Sequence, residues 1–127
     1  MEGGAEVGVQ NYRDLRVWQA GMDLVEAIYR LSQAFPTDER FGLTSQIRRA
    51  AVSVPSNIAE GHAREHTAEY VYHLSIAQGS LAEVQTQSEI ARRLGYLSAE
   101  QAEVIEQQTV TLSKQLYALR NALQKKG

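Results

Sequence analysis

The stretch from Gln46 to Arg64, QIRRAAVSVPSNIAEGHAR, carries the residue types best suited to chemistry. Arg49, Ser53, Asn57, Glu60 and Arg64 follow one another at steps of four, four, three and four, which puts them on one face of a helix. Ser and Asn are middling helix formers, so their place inside a helical pattern asks for a reason. Further on, His73, Ser80, Glu83 and Gln87 share a second face. If the two faces meet, an Arg49–Glu83 pair joins Ser53, Asn57 and Ser80 in a polar network between helices, with Gln46 one turn before Arg49. Such a network fixes helix register, or it lines a ligand-binding or catalytic groove. The sequence leaves both open.

Other chemistry finds little support. There are no cysteines, so disulfides, thiolate metal sites and Cys nucleophiles are excluded. His62 and His66 stand four apart, as do Glu69 and His73. That spacing suits a metal, but Gly61 and Thr67 signal a helix break that scatters the three histidines. They are expected at the surface, with no metal and no cofactor. No Gly-x-Ser-x-Gly elbow and no Gly-rich phosphate loop occurs. The expectation is therefore a protein without enzymatic activity and without a small-molecule substrate.

The elements that position these residues are helical. The 127 residues suit about one domain. Sixteen Ala, twelve Leu and twelve Gln against two Pro favour helix. Residues 1–11 lack periodicity and are expected to be a disordered tail. The bundle domain is expected over 12–127. The first helix is predicted over about 14–34, with Leu15, Trp18, Met22, Val25 and Tyr29 as its stripe. Leu24, Ile28 and Leu31 widen that stripe beyond what an isolated bundle needs. Val17, Leu24, Ile28 and Leu31 are accordingly offered as a subunit contact.

Phe35-Pro36 ends the first helix. The second begins near Phe41 or Gly42, with an apolar face of Leu43, Ile47, Ala50, Ala51, Val54 and Ile58, and ends near Gly61. Pro55 interrupts its backbone bonding, and a kink is expected there rather than two shorter helices. The third starts near Thr67 and carries Tyr70, Leu74, Ala77, Leu81, Val84, Ser88 and Ala91, with Gly95 as its stop. Ala77, Gly79 and Ser80 in its interior imply a close neighbour, another helix of the bundle or another subunit. Ser98 and Gln101 form a capping box for the fourth. Its seam of Ala102, Ile105, Thr109, Leu112, Leu116, Leu119 and Leu123 keeps a heptad spacing. Four long helices with short connections predict an all-α, antiparallel up-down-up-down four-helix bundle.

Charge and hydropathy limit the partners. No apolar run of about 18 residues exists, so no membrane span is expected. The N-terminus has no signal-peptide pattern, which makes the cytoplasm the expected compartment. The net charge is −2, which does not announce a nucleic-acid binder. A local basic surface is still conceivable from Arg13, Arg16, Arg92, Arg93, Arg120, Lys125 and Lys126.

The segments FGLTSQIRRAAVSVPSNIAEGHAR (41–64) and IAQGSLAEVQTQSEIARRLGYL (76–97), with the opening YRDLRVWQAGMDLVEAIYRLSQAFPTDERFGL, resemble the bacterial "four helix bundle protein" family. That family is also called the 23S ribosomal RNA intervening-sequence protein family. The resemblance covers about residues 12–124. It implies a homopentamer of four-helix bundles, with RNA or the ribosome as the suggested partner. A related branch, the accessory variability determinant of diversity-generating retroelements, binds nucleic acid and a reverse transcriptase, and that accessory role is the alternative. The family's characteristic residues fall on Gln46, Arg49, Ser53, Asn57, Glu60, Gly61, Arg64, Gly79, Ser80 and Glu83. The retroelement branch is strongly basic. Five subunits of this chain at −2 each carry about −10, which repels phosphate at long range.

Overall fold

The computed structural model describes residues 6–126, and of Lys126 only the backbone. Four α-helices follow one another: α1 (Arg16–Ser32), α2 (Leu43–His62), α3 (Thr67–Arg93) and α4 (Ala99–Lys126). Single 3₁₀ turns at Tyr12–Asp14 and Thr37–Glu39 precede α1 and α2. No strand occurs among the described residues. Each helix packs on two others, α1 on α2, α2 on α3, α3 on α4 and α4 on α1, which closes a four-membered ring, and α2 with α3 is the most extensive of these contacts. Residue pairs descend on one helix as they ascend on its neighbour. Tyr29 receives Arg48 and Gly21 faces Pro55. Ser53 meets Ser80 and Asn57 meets His73. Gln85 meets Thr109 and Gln78 meets Ser113. Among the described residues no helix is long and apolar enough to cross a membrane.

The stripes of α2, α3 and α4 face the core as their spacing predicts. Ile47, Ala51, Val54, Ile58, Leu74, Ala77, Leu81, Val84 and Ala91 are buried, as are Ile105, Leu112, Leu116, Leu119 and Leu123. Ser98 and Gln101 exchange bonds of 3.0 and 2.9 Å between side chain and backbone, the reciprocal capping box. Gly95 adopts φ +79°. The Tyr96 N–H then reaches the Ala91 carbonyl and the Gly95 N–H reaches that of Arg92, which is the Schellman ending. The helix α2 runs unbroken through Pro55. The proline ring is buried against Gly21, where a Cβ would sit 3.3 Å from Pro55 Cβ, so a glycine on α1 makes room for it.

Three expectations are corrected. In α1, Val17, Leu24 and Ile28 are at most 1 % exposed inside the bundle. They are core and cannot serve as a subunit contact. Of the expected stripe, Trp18 and Val25 are partly buried against the core, while Met22 is 38 % and Tyr29 41 % exposed. Second, residues 6–11 are not a loose tail, while residues 1–5 lie outside the described residues. Glu6 is buried and its carboxylate accepts the Arg16 N–H and Nε–H at the start of α1, where a negative charge complements the helix dipole. Val9 O accepts His62 Nε2 at 2.7 Å. As expected, α2 ends beside Gly61, at His62, and Gly61 permits contact there, since a Cβ would stand 2.8 Å from His73 Cβ and 3.2 Å from Tyr70 O. Third, Gly79 meets nothing within 4 Å, so no helix of the bundle is its close neighbour, and of the two expected neighbours another subunit is left.

Candidate functional site

The α2–α3 contact brings the two polar faces together. Ser80, itself buried, donates its hydroxyl to Ser53 Oγ at 2.7 Å. Asn57 Nδ2 donates to the same oxygen at 3.0 Å and to Ser53 O at 2.9 Å. Asn57 Oδ1 faces His73 Nδ1 at 3.1 Å, and Glu60 stands 3.9 Å from that ring nitrogen. Arg64 Nη2 closes the row on Glu60 at 3.3 Å. Ser80, Ser53 and Asn57 thus form one hydrogen-bonded chain, which the Glu60–Arg64 pair adjoins at His73. His73 belongs to it as well, and its side chain is only 12 % exposed, so it is not the surface histidine expected. His62, which bonds Val9, is not one either; only His66 is exposed.

The expected Arg49–Glu83 pair is not formed. Among the described residues Arg49 has no ion pair, and it faces Glu83 across an open cleft of about 450 Å³. Both side chains are exposed, so each is solvated by water at less cost than ordering two long side chains into one geometry. Gln46, Ser45, Phe41 and Gln87 complete the lining with Ser53 and Ser80. The Gln87 Oε1 atom is buried there without a hydrogen-bond partner among the described residues. Phe41 is 87 % exposed. Sequence spacing gave no signal for Phe41, because it precedes the helix whose periodicity organised the rest.

The seven basic residues expected at one surface divide between two ends. Arg13 and Arg16 stand where α1 begins, and Lys125 where α4 closes the chain. Arg120 binds Gln78 Oε1 along α3. Arg92 and Arg93 stand where α3 ends, close to Tyr96, which packs on Phe35 at the other end of the bundle. Both donate to Glu89, at 2.7 and 2.9 Å. Those bonds hold the Glu89 carboxyl down at about 2 and raise Arg92 above its usual range. The side chain of Lys126 lies outside the described residues.

Two further groups are perturbed. The Tyr70 phenol, buried between α2 and α3 with no partner for its hydroxyl among the described residues, is pushed up to about 12 by desolvation, with a smaller push from Glu6. The Tyr96 hydroxyl donates to Glu39 Oε2 at 2.9 Å, and that bond raises its pKa. No group of three or more His, Asp or Glu gathers as a metal site among the described residues.

The polar chain along α2 and α3 lies inside a match to the family described as 23S rRNA-intervening sequence protein, which spans residues 13–118. The chain belongs to that family. Among solved structures it is similar to a protein of unknown function from the S23 ribosomal protein family of Bacteroides thetaiotaomicron. The TM-score is 0.73 at 24 % identity, over 81 % of this chain and 96 % of that one. At that identity the likeness establishes a shared fold. No curated protein matches the chain. Within this intervening-sequence family fold, α2 and α3 supply the whole polar chain, while α1 and α4 close the core behind it.

Proposed function

We propose that this chain works without catalysis, as a homo-oligomeric four-helix bundle that serves as a binding or scaffold module, with RNA the first partner class to test. The single observation that carries the oligomer is the second apolar stripe of α1. A helix of a lone bundle needs one apolar face. Here Val17, Leu24 and Ile28 already fill the core, yet Met22 and Tyr29 stay exposed on another side of α1, beside Val52 of α2, 40 % exposed. A contiguous apolar strip of this kind, rimmed by polar residues, marks an association surface. Five subunits is the number the family resemblance implies. The family's description, and that of its structural neighbour, both name ribosomal RNA or a ribosomal protein, which supports RNA as the partner.

Ser53, Asn57, His73 and Ser80 bind one another, and among the described residues neither serine hydroxyl is bonded to a histidine or a carboxylate. That arrangement supports a register-fixing role for the chain rather than acyl transfer. Native mass spectrometry of protein purified without nuclease tests the proposal. The expected result is a closed oligomer carrying RNA. A Met22→Glu protein is expected to be a folded monomer by light scattering and circular dichroism. A wild-type protein that is monomeric at micromolar concentration overturns the oligomer. A bare oligomer overturns RNA as the partner and leaves the scaffold role.

A further inference from the structure

The arginines of this protein fall into two populations. Arg16, Arg30, Arg64, Arg92 and Arg93 each pair with a carboxylate. Among the described residues Arg13, Arg40, Arg48, Arg49 and Arg120 pair with none, and of these Arg40, Arg48 and Arg49 gather on one surface at the start of α2. They line an open groove of about 530 Å³ together with Tyr29, Phe41 and Val52. The groove shares Phe41, Ser45 and Arg49 with the polar cleft described above, so the two form one continuous surface on either side of Phe41. Arg40 lies over the Phe41 ring at 5.3 Å and Arg48 over the Tyr29 ring at 4.6 Å. Arg48 is further held by Ser32 Oγ and the Tyr29 carbonyl, which fixes its guanidinium instead of leaving it mobile. Glu83 is the one carboxylate among the residues lining either side. Nearby Glu39 is committed to the Leu43 N–H and the Tyr96 hydroxyl.

We propose that this surface binds single-stranded nucleic acid, with its phosphates on Arg40, Arg48 and Arg49 and a base stacked on Phe41. The inference rests on the binding-module reading, and its groove borders the strip proposed for assembly at Tyr29 and Val52. Three arginines free of carboxylates present a local positive charge that the overall −2 conceals, and Arg favours the bidentate contacts that phosphate offers. An aromatic ring 87 % exposed is costly in water and is the platform on which any base stacks. In the adjoining cleft, the Glu83 carboxylate and the orphaned Gln87 Oε1 are acceptors. The exocyclic amino groups of unpaired bases are the donors that fit them. A duplex hides those edges and the stacking faces.

The test is fluorescence polarisation of a labelled single-stranded RNA oligonucleotide, with single-stranded DNA, duplex RNA and labelled polyglutamate as further probes. The expected order is single strands first, then duplex, then polyglutamate. Three neutralised phosphates give a slope of log affinity on log salt of about −2 per site. Phe41→Ala is expected to weaken single-strand binding roughly 5- to 150-fold, and Arg40→Ala to weaken it and flatten the salt slope. Tyr117→Ala, an exposed aromatic on α4, is expected to bind as the wild type does. Light scattering of the same samples keeps the readings apart, because loss of binding with an intact oligomer concerns this surface alone. Single-strand binding that survives both Phe41→Ala and Arg40→Ala overturns the proposal. So does the absence of binding at low salt. Polyglutamate binding as tight as RNA and equally sensitive to Arg40→Ala also overturns it, and assigns the surface to an acidic protein.

Discussion

Gly61 and Gly79 lie in neighbouring helices, and replacing each by alanine makes the same chemical change in two different environments. In a helix interior Ala is favoured over Gly by about 1 kcal/mol, through the lower entropy of its unfolded state. At Gly79 a Cβ meets nothing within 4 Å, so that gain stands alone and Gly79→Ala is expected to stabilise by about 0.5–1 kcal/mol. At Gly61 the new methyl would stand 2.8 Å from His73 Cβ, 3.1 Å from Tyr70 Cδ1 and 3.2 Å from Tyr70 O. These are not the free ends of flexible chains; one is backbone. Relief requires α3 to move away from α2, which typically costs about 1–3 kcal/mol in a packed core. Gly61 is also one residue from the end of α2, so its propensity gain is smaller. The net expectation for Gly61→Ala is destabilisation by about 1–2 kcal/mol.

For a chain of this length 1 kcal/mol moves Tm by about 3–5 °C. Gly79→Ala is therefore expected to melt a few degrees above the wild type, and Gly61→Ala several degrees below it. Circular dichroism melts and urea titrations of the three proteins at one concentration measure both shifts. Shifts of the same sign, or a Gly61→Ala protein as stable as the wild type, would refute the reasoning that close approach rather than propensity selects Gly61. A destabilised or dissociated Gly79→Ala protein would show that another subunit approaches α3 there.

Ser80→Ala removes a buried donor to Ser53 Oγ and is expected to cost about 1 kcal/mol in urea unfolding; no loss would mean that the hydroxyl chain does not hold α2 to α3. Leu24→Asp places a carboxylate at a position 0 % exposed in the core and is expected to abolish the helical circular dichroism signal; a folded Leu24→Asp protein would contradict the burial of α1. Tyr70 titrates near 10 when unfolded and near 12 when folded. Its raised folded value means its contribution is full below pH 10 and is lost as pH rises through about 12. Two units amount to about 2–3 kcal/mol, so Tyr70→Phe is expected to flatten the fall in urea midpoint across that window and to be neutral or mildly stabilising at pH 7. An unchanged alkaline limb in Tyr70→Phe would assign the effect to another group.

The periodic helices were legible because each buries a single face. Along α4, residues from Ile105 to Leu123 repeat at three and four, and no second apolar face competes with them. Local chemistry was equally legible: the Ser98–Gln101 box and the left-handed Gly95 are decided within a few residues of chain. Spacing also brought Ser53, Asn57 and Ser80 to facing surfaces, because backbone geometry alone fixes which side of a helix a residue occupies.

What the tertiary structure decided is whatever depends on the neighbour. Helix α1 carries two apolar stripes of similar strength, and only the position of α2 and α4 selects Val17, Leu24 and Ile28 for the core and leaves Met22 and Tyr29 half-exposed. Arg49 and Glu83 share a cleft without pairing, because long exposed side chains are better solvated than ordered. Residues 6–9 pack through one buried carboxylate at a helix start and one carbonyl on His62, contacts across long sequence separations that no local pattern records. The gathering of Arg40, Arg48 and Arg49 around Phe41 has the same origin. Their neighbours in sequence place them on a turn and a helix start, but their freedom from carboxylates is set by where Glu39 was drawn, to Leu43 and Tyr96, by the packing of the whole bundle.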